Sequence, residues 1–168
     1  NVYNYSPIPT AERNLTDKMI STVCVDQDGV LWIGTNGGDI NVFSKGKRVA
    51  IYGADDGDLN GNPVQASLCD TKGNLWFGLF NGGLCYYNRT QKYFRQVFSK
   101  DKALIDVRAI YEDDHHTIWI GTSEGVYKAG LDGQLFLEHY IENEQVRCLF
   151  KDEQGFLWVG TFGGGVLV

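Results

Sequence analysis

All four tryptophans of the chain stand in one ten-residue context, and that repetition limits the fold more than any other feature. The segments are Asp26-Gln27-Asp28-Gly29-Val30-Leu31-Trp32-Ile33-Gly34-Thr35, Asp70-Thr71-Lys72-Gly73-Asn74-Leu75-Trp76-Phe77-Gly78-Leu79, Asp113-Asp114-His115-His116-Thr117-Ile118-Trp119-Ile120-Gly121-Thr122 and Asp152-Glu153-Gln154-Gly155-Phe156-Leu157-Trp158-Val159-Gly160-Thr161. They share the pattern Asp-x-x-Gly-x-Leu-Trp-Ile-Gly-Thr, and successive tryptophans lie 44, 43 and 39 residues apart. That spacing is close to the length of a four-stranded propeller blade and too long for a leucine-rich repeat.

Each unit reads as four short strands. An apolar run comes first (20–25, 64–69, 107–111, 146–150), then the Asp-x-x-Gly turn and the Trp strand. A glycine-rich turn follows: Asn36-Gly37-Gly38, Asn81-Gly82-Gly83, Ser123-Glu124-Gly125 or Phe162-Gly163-Gly164-Gly165. It leads into a third strand such as 40–43 and a fourth, aromatic-ended strand at 48–52, 94–98 and 136–140. No segment keeps a helical period, so the expected fold is all-β, a propeller of four-stranded blades with about four blades in this chain. The repeats run roughly 19–53, 63–98, 106–141 and 146–168, with residues 1–6 as an extra outer strand similar to the fourth strands. A ring closed by the two ends, a larger ring shared by two chains, and an excerpt of a longer propeller all fit this arrangement.

Composition narrows the class further. At 168 residues and 43% hydrophobic, the chain can bury a core as one domain, which excludes disorder. A net charge of -6 without a basic patch argues against nucleic acid and anionic lipid as partners. No apolar stretch approaches the roughly 20 residues of a membrane helix, so this segment is not expected to insert directly into a membrane. Cys24, Cys69, Cys85 and Cys148 lie in apolar runs without zinc-ligand spacing and are expected to be free, small buried hydrophobes.

The pattern Val-x-x-Ile-x-x-Asp-x-x-Gly-x-Leu-Trp-Ile-Gly-Thr-x-x-Gly-Gly-Gly resembles the two-component regulator propeller repeat, found in the periplasmic sensor region of hybrid two-component histidine kinases. The resemblance covers nearly the whole chain. It implies an excerpt of a larger propeller, a periplasmic location as part of an inner-membrane receptor, and a role in sensing oligosaccharides released from polysaccharides. His115-His116 in place of the turn glycine, Leu79 in place of Thr and Asp39 within the first glycine run are modest departures.

Trp32, Trp76, Trp119 and Trp158 could stack on sugars, but a residue repeated in every blade is read as packing. The glycines two residues on, Gly34, Gly78, Gly121 and Gly160, would leave room for a neighbouring side chain. Asp26-Gln27-Asp28-Gly29 lacks the remaining ligands of a calcium loop and is read as a turn, and His115-His116 as a solvated loop. No catalytic residue set, metal site or cofactor motif emerges, although a glycosidase carboxylate pair has no distinctive sequence signature. Recognition is expected where the repeats differ, on the side where the loop entering the innermost strand meets the glycine turn. That side collects Gln65, Arg108 and Arg147 with Asn36, Phe80, Asn81, Glu124 and Phe162. The arginines suit carboxylate or sulfate, the amides hydroxyls, and the phenylalanines a sugar face. In the competing reading the arginines pair with nearby acids and the phenylalanines pack between blades. The functional expectation is a non-catalytic sensor segment that binds an oligosaccharide or transmits its binding to a kinase. The alternatives are an interaction or dimerisation scaffold, whose partners are further receptor blades or a second copy, and a propeller enzyme.

Overall fold

The computed structural model describes residues 15–89, 91–99, 102–103, 105–131 and 135–168. Four antiparallel meanders follow one another along the chain. The first holds β1 (Ile20–Val25), β2 (Leu31–Thr35), β3 (Ile40–Ser44) and β4 (Lys47–Tyr52). The second holds β5 (Val64–Cys69), β6 (Leu75–Leu79), β7 (Gly83–Asn88), β8 (Tyr93–Ser99) and a two-residue edge strand, β9 (Lys102–Ala103). The third holds β10 (Val107–Glu112), β11 (Ile118–Thr122), β12 (Gly125–Leu131) and β13 (Leu135–Glu142). The fourth holds β14 (Val146–Lys151), β15 (Leu157–Thr161) and β16 (Val166–Leu167). First strands touch in the series β1, β5, β10, β14, so they form the inner edge of an arc of blades. The outer strand expected at residues 1–6 lies outside the described residues.

The repeated aspartate explains why the Trp motif recurs as a unit. In the first blade Asp26 Oδ1 accepts the amides of Asp28 (3.0 Å) and Val30 (2.9 Å), while Oδ2 accepts the Trp32 indole N–H at 2.9 Å. Asp113 and Asp152 repeat the arrangement, their outer oxygens holding Trp119 at 3.0 Å and Trp158 at 2.7 Å. Asp70 accepts the Asn74 amide and holds Trp76 at 2.9 Å. One carboxylate thus closes the turn and satisfies the polar edge of a buried indole. Where the turn glycine is missing, His116 takes its left-handed conformation with φ 60°. The closing Thr of the motif caps the glycine turn, Thr35, Thr122 and Thr161 donating to the carbonyls of Asp39, Gly125 and Gly165. Leu79, which cannot donate, is instead fully buried apolar packing.

Blades join by a knob and notch. A Cβ on Gly34 would lie 2.6 Å from Val64 Cγ1 of the second blade, on Gly78 2.6 Å from Val107 Cγ1 of the third, and on Gly121 2.5 Å from Val146 Cγ1 of the fourth. The missing side chain makes room for the valine that opens the next inner strand, as the sequence suggested. Trp32 packs across this joint on Phe77 and Tyr87, with ring centroids 6.0 and 5.0 Å away. Trp76 and Trp119 are likewise buried, beside Val107 and Val146 respectively, whereas Trp158 on the last blade is 41% exposed. The cysteine expectation holds in part. All four thiols are free, but only Cys85 is buried; Cys24 and Cys69 are half-buried and Cys148 is exposed. Cys148 lies beside the Gly160 notch, which receives no following valine among the described residues.

The Asp-turn side is laced by polar contacts between blades. Gln27 donates to the Thr71 carbonyl at 2.8 Å, Thr71 donates through its amide and hydroxyl to Glu112, and Lys151 bridges Asp113 and Asp114 at 3.0 and 3.4 Å. His116 Nδ1 joins the same cluster, 2.8 Å from the Thr71 hydroxyl, and both His115 and His116 are exposed, in keeping with the solvated loop expected. Arg89 of the second blade reaches Asp26 and Asp28 of the first at 2.9 and 3.0 Å.

These contacts predict acid sensitivity. Burial alone would raise the Asp113 carboxyl, but hydrogen bonds from the Trp119 indole, the Thr117 amide, the Lys151 ammonium and the His115 amide outweigh it and hold it at about 2. A carboxylate depressed in the native state contributes stability above its unfolded value near 4 and loses it as pH falls through the folded one. The melting temperature followed by circular dichroism is therefore expected to fall mainly between about pH 4 and pH 2. Asp113→Asn should flatten part of that fall, and a melting temperature constant down to pH 2 would contradict the assignment.

Candidate functional site

The end of the blades opposite the Asp turns is built by one repeated contact. The residue after each second strand donates its amide to the carbonyl of the residue before or at the start of the inner strand region: Asn36 to Met19, Phe80 to Pro63, Ser123 to Asp106 and Phe162 to Gln145, at 2.8 to 3.0 Å. The glycine turns and the entries to the inner strands therefore share one rim. Immediately beyond each contact the inner strand carries a β-bulge, a break in register between Ile20 and Thr22, Val64 and Ala66, Val107 and Ala109, and Val146 and Cys148. The extra residues are Ser21, Gln65, Arg108 and Arg147. Bulges free a residue from ladder pairing and re-aim its side chain, so the scaffold repeats the backbone device while the side chain on it changes.

The rim residues fall into distinct environments. Arg108 is largely buried and forms a two-nitrogen contact with Asp106 Oδ2, through Nε at 2.8 Å and through Nη2. The guanidinium carbon of Arg147, an exposed residue, sits 4.8 Å from the centroid of the Phe162 ring. This satisfies part of the competing expectation: one arginine pairs with an acid and the other lies over an aromatic ring. Such a cation–π contact holds the guanidinium in place without consuming its hydrogen-bond donors. Phe80 and Phe162 nevertheless remain 37% and 66% exposed. Asn36, Asn81 and Glu124 are exposed on the glycine turns, and Asn81 adopts a left-handed φ of 56°. Gln65 is half-buried.

Two rim residues were not singled out by sequence. The Ser21 hydroxyl occupies the first bulge and donates to the Gly34 and Val64 carbonyls, fastening the first blade to the second. Asp106 precedes the third inner strand and anchors Arg108. Neither carries a repeat signature, and only the i, i+2 spacing of Asp106 and Arg108 hinted at a pair.

Sequential antiparallel meanders of three to five strands, joined by inner-edge valines and indoles held by aspartates, define a segment of a β-propeller of the repeat-blade type. The chain belongs to the two component regulator propeller family, whose model matches residues 14–37, 58–81, 104–124 and 140–163. It is similar to the extracellular domain of a hybrid two component system from B. thetaiotaomicron, with 44% identity and a TM-score of 0.84 over 98% of this chain and 22% of that one. A second such domain from the same organism has 23% identity and a TM-score of 0.69, covering 86% of this chain and 20% of the other. Virginiamycin B lyase from Staphylococcus aureus shares the fold at 14% identity and a TM-score of 0.68, over 92% of this chain and 57% of the lyase. No curated protein matches the sequence significantly. The chain thus spans about a fifth of the hybrid-system domains it resembles.

Proposed function

We propose that this chain is a non-catalytic, extracytoplasmic segment of a two-component signalling receptor, and that its bulged rim contributes to binding an oligosaccharide. The observation that carries this reading is the bulge: at the same backbone position in four blades the side chain is Ser21, Gln65, Arg108 or Arg147. A scaffold that holds the backbone constant and varies the presented group is suited to recognition. Amide and guanidinium donors beside exposed Phe80 and Phe162 match the hydroxyls and apolar ring faces of sugars. Similarity to extracellular domains of hybrid two-component systems supports the sensor role and the location. A ligand would signal only by binding better to one receptor arrangement than to another.

Thermal-shift measurements against neutral and acidic oligosaccharides test this reading, because a ligand that binds the folded state raises the melting temperature. The expected result is a reproducible rise for one glycan class that Arg147→Ala diminishes, since that variant also releases Phe162. No rise with any glycan would favour the scaffold reading. That second reading has its own support, in apolar side chains exposed at both ends of the arc: Met19, Val23 and Val25 on the first blade, Phe150, Trp158 and Val166 on the last. In it, those faces meet further blades of the receptor or a second copy.

A further inference from the structure

We propose that Asp106 and Arg108 of the third blade form a subsite for an uncharged sugar diol, an inference that rests on the oligosaccharide reading and narrows it to neutral glycans. The pair leaves one acceptor and one donor unused. Asp106 Oδ2 takes both hydrogen bonds from Arg108, while Asp106 Oδ1 and Arg108 Nη1 are buried and have no hydrogen-bond partner among the described residues. The Asp106 side chain is only 6% exposed, and its main-chain carbonyl is held by the Ser123 amide at 3.0 Å, so the acceptor is fixed in place. Native proteins rarely leave such atoms without a partner, whether from the protein, water or a ligand.

An unbonded acceptor and an unbonded donor in one ion pair select their ligand by chemistry. Of two vicinal sugar hydroxyls, one can donate to Oδ1 while the other accepts from Nη1. Sulfate and carboxylate only accept. They would satisfy Nη1 while bringing negative charge against Oδ1, and the Arg108 charge that could attract them is already opposed by Asp106. Arg108 keeps 15% of its side-chain exposure, so the pair lies just beneath the rim, and a diol reaches it once the guanidinium turns outward. The positions equivalent to Asp106 in the other blades are Met19, Pro63 and Gln145, which places this pair on the third blade alone among the described blades. The neighbouring blades present Phe80 and Phe162 at the same level of the rim, where they can cover the apolar faces of adjoining sugar rings.

Isothermal titration of the chain with arabino-, galacto-, xylo- and manno-oligosaccharides, set against oligogalacturonate and chondroitin sulfate fragments, decides the matter. The expected result is binding of a neutral glycan that Asp106→Asn weakens tenfold or more. The asparagine amide keeps the shape but turns the Oδ1 acceptor into a donor when its oxygen stays on Arg108. Arg108→Lys, which removes Nη1 while keeping a cation for Asp106, should show the same loss and serves if the first variant does not fold. Binding confined to the acidic glycans overturns the neutral subsite and leaves the oligosaccharide reading standing. Neutral binding unchanged in both variants also overturns the subsite. Failure of every glycan to bind overturns both.

Discussion

Trp76→Ala is expected to lower the unfolding free energy by about 3–5 kcal/mol, the range for truncating a large buried aromatic side chain. Trp76 is fully buried and packs among Leu84, Val97, Val107, Ile118 and Ile120, so its loss opens a cavity across the joint of the second and third blades. It also takes the indole donor from Asp70 Oδ2, which then keeps only the Asn74 amide group. Against a typical domain stability of about 5–15 kcal/mol, this is a large fraction of the total. Trp158→Ala provides the internal comparison. Trp158 makes the equivalent bond to Asp152 but is 41% exposed, so its truncation should cost roughly 1–2 kcal/mol by the area it buries. Urea denaturation of both variants checks the pair, and equal losses would contradict the packing role assigned to the repeated indole.

Gly78→Val is expected to be at least as disruptive as an ordinary overpacked core, about 3 kcal/mol or more, because the obstacle is partly backbone. A Cβ there would approach Val107 Cγ1 to 2.6 Å and the Val107 carbonyl oxygen to 2.7 Å. A side chain can rotate away, but the carbonyl belongs to the third blade's inner strand and moves only if the blades part. The double variant Gly78→Ala/Val107→Ala should therefore recover only part of the loss suffered by Gly78→Ala. Gly29→Ala is the control: its φ of 72° is strained for alanine, but nothing lies within 4 Å of the new Cβ, so about 1 kcal/mol is expected. If thermal melts place Gly29→Ala and Gly78→Val at similar cost, the notch has no special role.

Much of this architecture was legible because the repeat is written in side chains whose jobs are local. The Asp-x-x-Gly turn, the Trp strand and the glycine turn each follow from short-range chemistry, and the observed inner strands begin at the residues anticipated, Ile20, Val64, Val107 and Val146. The Asp-to-indole bond was hidden within the same motif, since the aspartate has a sufficient local reason to exist as a turn former. The connection at 54–63 also concealed a short 3-10 turn, Gly57–Leu59, whose Leu59 is fully buried in the core beside Phe94. Its length and turn-forming residues suggested only a link, and burial of a lone leucine depends on the neighbouring strand.

The candidate site was legible by position more than by interaction. The unrepeated residues at the starts of the inner strands do share a rim with the glycine turns, but the bulges that present them arise from a mismatch in pairing between two strands. A single strand's sequence does not carry that mismatch. The environments of the two arginines likewise depend on their surroundings: Arg108 meets an acid two residues away, and Arg147 lies over an aromatic ring from the adjoining strand's turn.

The proposed function divides labour between the two ends of the blades, with the Asp-turn end laced and structural and recognition assigned to the variable rim. Backbone amide chemical shifts of the isotope-labelled chain, recorded during titration with the oligosaccharide that gives the greatest thermal shift, test it most directly. The account predicts changes concentrated at Asn36, Gln65, Phe80, Arg108, Glu124, Arg147 and Phe162, with the Asp turns at residues 26–29, 70–73, 113–116 and 152–155 silent. Changes concentrated at those turns, with the rim unmoved, would contradict it.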